Sequence, residues 1–158
     1  MAAQVVVVGG GVAGTLAANL IAKSAGSAAQ VSVVDLTGQH VYQPSFLYIP
    51  FGSDRPADIA RPEQQLLRRD VTLITQPAIR IDAENRAVEL SDGRRVPYDY
   101  LVLATGSRAV MEEVPGAEDA HTFYTHEGAE RLRLALRDFK GGRILVGVAV
   151  LLWMARGT

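Results

Sequence analysis

Val5-Val6-Val7-Val8-Gly9-Gly10-Gly11-Val12-Ala13-Gly14 is the stretch whose reading decides the fold. Four β-branched residues without a polar interruption predict a strand covered on both faces, the condition of a parallel sheet. The glycines after it satisfy G-x-G-x-x-G. Ala13, Leu16, Ala17, Leu20 and Ile21 then fall at i, i+3, i+4, i+7 and i+8, the apolar stripe of a helix that Gly26 is placed to end. Val31 to Val34 is a second β-branched run, and Asp35 closes it. Strand, glycine turn, helix, strand and terminal acid make one βαβ unit of about 30 residues.

Each glycine has a separate task in that pattern. Gly9 permits a tight turn, Gly11 lets the backbone approach a pyrophosphate, and Gly14 lets the helix lie close on the strand. An anion held there would meet the free N–H groups and positive dipole end of the helix, at Gly9, Gly10, Gly11, Val12, Ala13 and Gly14. Asp35 stands 21 residues after Gly14, where a carboxylate would accept the two hydroxyls of an adenosine ribose and repel a 2'-phosphate. Thr15 and Leu16 stand where a Walker A loop needs Lys and Ser or Thr, which excludes the mononucleotide kinases and ATPases.

Outward from this unit, Gln39 to Ser53 reads as an aromatic, proline-bearing loop. Asp58 to Arg69 predicts a helix with Leu66 and Leu67 inward, and Val71 to Ile74 a third parallel strand. Ile79 to Ile81, Ala87 to Leu90 and Arg94 to Val96 are short runs, with Ser91-Asp92-Gly93 suited to a hairpin turn. Tyr100 to Ala104 reads as another buried strand ending at Thr105-Gly106. Glu127 to Lys140 carries Ala129, Leu132, Leu136 and Phe139 on one helical side, and Ile144 to Val148 predicts a new buried strand. The expected organisation is an α/β chain: residues 1–110 a Rossmann-like parallel sheet with a small antiparallel meander, 111–142 a linker and helix, and 143–158 the beginning of a second dinucleotide-binding domain that is cut short.

Composition excludes several classes. The 158 residues are 48% hydrophobic and 21% charged, a balance that buries a core. Sixteen basic against seventeen acidic residues give a net charge of -1, with no footprint for nucleic acid. There is no cysteine, so disulfides, thiolate metal sites and thiol chemistry are not carried by this chain. His40, His121 and His126 lack metal-ligand spacing and are expected to be solvated or capping; Glu112-Glu113 and Glu118-Asp119 are expected to be solvated. No charged leader precedes Val5, and the apolar run Ile144 to Ala155 falls short of the about 20 residues of a membrane span. A cytoplasmic protein is expected.

The glycine cluster, Asp35, the meander after Ile79 and Tyr98-Asp99-Tyr100-Leu101-Val102-Leu103-Ala104-Thr105-Gly106 together resemble the FAD-binding domain of the pyridine nucleotide-disulfide oxidoreductase superfamily. Within it, His40-Val41-Tyr42-Gln43-Pro44 with Phe51-Gly52 is most similar to sulfide:quinone oxidoreductases, and type II NADH dehydrogenases come next. The resemblance implies FAD as cofactor, with its pyrophosphate on Gly9 to Gly14, its ribose on Asp35 and its adenine beside Leu36 and the backbone of Ala78 and Ile79. It further implies Gln43 and Pro44 on the flavin side, with Ala104, Thr105 and Gly106 packed along the cofactor.

In intact relatives of this kind the flavin passes electrons to quinone, with sulfide or NAD(P)H as donor and in some cases peripheral association with a membrane. The sulfide-oxidising members use redox cysteines. Here Leu151-Leu152-Trp153-Met154 stands shortly after Ile144, near where one of them would fall. The resemblance spans about the first third of such an enzyme, by comparison with the roughly 100 to 200 residues of each further domain. An FAD-binding portion, inactive alone, is the expectation. A type II NADH dehydrogenase-like fragment and a non-catalytic FAD or NAD module are the alternatives. A single-domain NAD-linked dehydrogenase is disfavoured because no Tyr-x-x-x-Lys pair accompanies the fingerprint. The charge-free run Ile144 to Met154 predicts self-association.

Overall fold

The computed structural model describes residues 1–53, 55–108, 110–111 and 114–147. Four strands form its parallel sheet: β1 (Ala3–Val8), β2 (Ala29–Asp35), β5 (Val71–Thr75) and β9 (Tyr100–Leu103), in the order β5-β2-β1-β9. Helix α1 (Val12–Ala25) makes the first crossover. The valine runs are continuous because both faces of the sheet are covered. Val5, Val7, Val31, Val33 and Val71 pack against Ala18 and Ala22 of α1 and against Leu67. Val6, Val8 and Val34 pack on the other face with Val88 and Leu90 of the meander β6 (Ala78–Asp82), β7 (Ala87–Leu90) and β8 (Arg95–Pro97). Arg95 ion-pairs with the Asp82 carboxylate, which also accepts from Asn85, and so ties the two outer strands of the meander.

The chain divides into two compact units, Met1–Gln43 with Arg55–Ser107, and Pro44–Asp54 with Arg108–Thr158. The first holds the sheet and meander. It also holds a two-stranded antiparallel pair, β3 (Gln39–Val41) with β4 (Ala60–Pro62), followed by the one-turn helix α2 (Glu63–Leu66). The second is built on α3 (His126–Asp138), whose N-cap Thr125 accepts from the Gly128 amide at 3.0 Å.

Several expectations are corrected. The stripe of α1 that meets the sheet is Gly14, Thr15, Ala18 and Ala22, whereas Ala13 is exposed, and so are Leu16 and Leu20, at 57% and 52%. A helix that lies close on a parallel sheet needs small residues at the contact, and this outweighs the larger apolar stripe. The helix expected over Asp58 to Arg69 shrinks to α2, because Ala60–Pro62 is drawn into β4; Leu67 is buried but Leu66 is exposed. β9 is an edge strand rather than a buried one, and Tyr100 and Leu103 are exposed. Of the loop's aromatic residues only Phe46 is buried, with its ring 6.2 Å from that of His126. Ile144 to Gly147 are exposed and form no strand. Val148, the rest of the run to Met154 and Glu112-Glu113 lie outside the described residues.

Candidate functional site

Strand order reverses between β1 and β9, and in open α/β sheets ligands bind outside the carboxyl ends of strands at such a point. The glycine turn occupies it. The Gly9 amide donates to the Val34 carbonyl at 2.8 Å and the Ala104 amide to that of Val8 at 2.8 Å, which draws three strand ends together. Gly9 has φ +104°, in the region that favours glycine, and a Cβ there would strike the Ala104 carbonyl. A Cβ on Gly14 would strike the Gly9 carbonyl oxygen and lie 3.3 Å from Ala104 Cβ. Gly9 and Gly14 are therefore required by packing. Gly11 is different, because its Cβ would meet nothing within 4 Å.

That open space lies at the N-terminus of α1. Gly11 is the N-cap, so no side chain closes the helix, and its first turn holds no acidic residue. The first-turn amides have no partner inside a helix, which makes this end a receptor for an anion. Room beside Gly11, free amides and the positive end of a 14-residue helix fit a pyrophosphate.

Asp35 stands at the carboxyl end of β2. Its Oδ2 accepts the Gly10 amide at 2.9 Å. Its Oδ1 accepts from the Thr37 amide at 2.9 Å, the Gly38 amide at 2.8 Å and the Thr37 hydroxyl at 3.2 Å. Partial burial pushes the carboxyl pKa up, but these donors outweigh it and hold Asp35 below the ordinary carboxylate value. Oδ1 is fully used, so spare accepting capacity belongs to Oδ2.

The other positions from the sequence are placed as follows. Leu36 is exposed just beyond Asp35, and Ala104 and Thr105 lie beside Gly9, with Gly106 next in the chain. The ladder between β6 and β7 shifts register between Ala78 and Arg80, which makes Ile79 a bulged, exposed residue at the start of the meander. Gln43 is exposed at the close of the first unit's opening segment. Pro44 is exposed and belongs to the second unit.

Beneath the glycine turn is a cluster the sequence did not disclose. Glu63 is 0% exposed, and its Oε1 accepts from the Thr15 hydroxyl at 2.5 Å. Its Oε2 lies 3.1 Å from Nδ1 of His40, whose side chain is 12% exposed. The same Nδ1 lies 3.1 Å from the Gly10 carbonyl, and the Thr15 hydroxyl lies 3.1 Å and 2.9 Å from the Gly10 and Gly11 carbonyls. His40 is therefore not solvated, which was one of the two roles expected of it. The turn at Asp35 and Thr37 starts β3, β4 returns antiparallel to it, and the Glu63 amide donates to the Gly38 carbonyl at 2.8 Å. A Thr directly after the last glycine was the one available signal. Glu63 is 48 residues from Thr15 and looks like a surface helix residue. Among the described residues no group of His, Asp and Glu could hold a metal ion, and no helix is long and apolar enough to cross a membrane.

Residues 3–150 match the family described as Pyridine nucleotide-disulphide oxidoreductase. The sulfide-quinone reductase of Aquifex aeolicus is 27% identical over 150 residues, 93% of this chain and 35% of the relative. The rhodocoxin reductase of Rhodococcus erythropolis is 33% identical over 130 residues, 80% of this chain and 30% of the relative. The crystal structure of the Aquifex aeolicus sulfide:quinone oxidoreductase superposes with a TM-score of 0.72 at 28% identity, covering 87% of this chain and 32% of that one. The chain thus spans about a third of the length of the relatives it matches.

Proposed function

The chain belongs to the pyridine nucleotide-disulphide oxidoreductase family, and we propose that it is the FAD-binding portion of an FAD-dependent oxidoreductase of the sulfide:quinone oxidoreductase kind. The observation that carries this reading is the uncapped N-terminus of α1 beside the open space at Gly11, at the point where strand order reverses. In this reading the amides of Gly11, Val12, Ala13 and Gly14 hold the FAD pyrophosphate, since the Gly10 amide is already bonded to Asp35. Gly9 and Gly10 shape the turn. Asp35 meets the adenosine ribose through Oδ2, with Leu36 beside the adenine and the bulge at Ala78 and Ile79 lending backbone groups. Ala104, Thr105 and Gly106 line the cofactor, and Gln43 and Pro44 border its flavin side.

FAD, when bound, supplies the redox chemistry. This chain's part is to bind and orient it. Electron delivery to quinone, from sulfide or from NAD(P)H, belongs to a complete enzyme. Without a cysteine these 158 residues hold no thiol for a persulfide step. Two NADH dehydrogenase-like proteins of Mycobacterium tuberculosis, 36% identical over 88 residues, support NADH as the alternative donor.

Calorimetric titration with ADP and with FAD tests the reading. One ADP or FAD is expected per chain, each competing with the other, and Gly11→Val is expected to abolish both. Absence of binding, or unchanged affinity in Gly11→Val, would refute it.

A further inference from the structure

We propose that Glu63, Thr15 and His40 form a positioning network for the dinucleotide loop, in which a carboxylate buried beneath the loop sets the direction of the peptides that meet the anion. The proposal rests on the dinucleotide-binding reading above and adds residues that the glycine fingerprint does not contain.

Glu63 is wholly buried, and a buried carboxylate is costly unless its oxygens are bonded. Its carboxylate bonds run to Thr15, the residue after Gly14, and to His40. Among the described residues His40 is the only basic side chain within ion-pair distance of it. A buried group needed only for packing would be better served by an apolar side chain of the same volume. The polar choice therefore has its consequence at the loop.

That consequence follows from peptide planarity. Nδ1 of His40 lies 3.1 Å from both the Gly10 carbonyl and Glu63 Oε2. Both oxygens only accept, so Nδ1 carries the hydrogen and shares it between them. With the Gly10 carbonyl held inward, the trans geometry of the peptide turns the Gly11 N–H to the opposite side, outward. Likewise the Gly11 carbonyl accepts the Thr15 amide at 2.9 Å with the Thr15 hydroxyl beside it, which directs the Val12 N–H outward. A hydroxyl has one proton to give. Glu63 Oε1, at 2.5 Å, is its shortest acceptor, and this keeps the hydroxyl from bending the first turn by bonding back to Gly11 alone. The Gly11 amide offered to the anion is thus aimed by a side chain that does not touch it, and the Thr15 hydroxyl, turned to Glu63, leaves the helix's own bond at Gly11 undisturbed.

The test uses the 158-residue chain and ADP as probe, with calorimetric affinities and melting temperatures for Thr15→Val, Thr15→Ser, Glu63→Gln and the double variant Thr15→Val/Glu63→Gln. Thr15→Val keeps the shape and removes the hydroxyl, and is expected to weaken ADP about tenfold, equivalent to about 1.4 kcal/mol. Thr15→Ser restores the hydroxyl and the affinity. Glu63→Gln also weakens ADP, and the double variant loses less than the two single losses combined, as expected of members of one network. If Glu63→Gln does not fold, the two Thr15 variants decide. A Thr15→Val chain that melts lower yet binds ADP as tightly as the wild type overturns this proposal and leaves the dinucleotide-binding reading intact. A wild-type chain that does not bind ADP overturns both.

Discussion

Gly14→Ala and Gly11→Ala form a pair whose outcomes should separate completely. The methyl group on residue 14 would enter the Gly9 carbonyl oxygen, on a residue whose amide is tied to the Val34 carbonyl, and would press on Ala104 Cβ at 3.3 Å. No side chain can rotate away, so helix α1 and the glycine turn must separate. Overpacking of this kind costs about 3 kcal/mol at its upper range. Alanine recovers up to about 1 kcal/mol over glycine from helix propensity. The net loss is about 2 kcal/mol, which for a chain of 158 residues lowers the melting temperature by roughly 4 to 8 °C. The methyl group on residue 11 meets nothing within 4 Å, and its φ of -74° suits any residue. Gly11→Ala should therefore change stability by no more than about 1 kcal/mol, the scale of an N-cap exchange. It should nevertheless weaken ADP, because the methyl occupies the space assigned to the pyrophosphate. Thermal unfolding by circular dichroism and ADP titration on the same samples read both effects. Equal melting temperatures for Gly14→Ala and wild type, or a Gly11→Ala chain with unaltered ADP affinity, would refute the division of labour between the two glycines.

Asp35 has a folded-state pKa below its ordinary value, so its share of stability is present above about pH 4 and is lost as pH falls through the depressed value. Asp35→Asn should accordingly flatten the acid limb of melting temperature against pH below about pH 4, and an acid limb as steep as in the wild type would contradict the bonding at Gly10, Thr37 and Gly38. Leu67→Ala should cost about 2 to 4 kcal/mol in urea unfolding, and Leu66→Ala less than about 1 kcal/mol, since only Leu67 belongs to the core; equal losses would restore the longer helix. Ending the chain after Gly142 should reduce light scattering, because Ile144, Leu145 and Val146 are exposed in succession. Unchanged scattering with a lower melting temperature would mean that this run docks on the folded chain.

The sheet was legible in the sequence because its central strands are buried on both faces: Val5 to Val8 needs no alternation and shows none, and Val31 to Val34 is broken only by Ser32. The glycine turn was equally legible, since the turn gives Gly9 a φ of +104° and sets Gly14 against the Gly9 carbonyl five residues back, although Ala104, far along the chain, also bears on Gly9. Local chemistry determined those elements. Other features depended on which surfaces meet. The leucines of α1 form the more conspicuous stripe, yet Gly14, Thr15, Ala18 and Ala22 face the sheet, because the distance between helix and sheet selects small residues. Tyr100 to Leu103 has the pattern of a central strand but lies at an edge, a property of strand order and not of composition. Glu63 is the furthest from sequence reasoning. A glutamate after a proline reads as solvated, and only the β3–β4 pairing carries it beneath the glycine turn to the hydroxyl and imidazole that satisfy it. Sequence alone therefore determined the strand, glycine turn and helix of the proposed dinucleotide site, largely through short-range backbone constraints. Tertiary structure decided what lies beneath the loop, because a buried polar group is defined by partners distant in the chain.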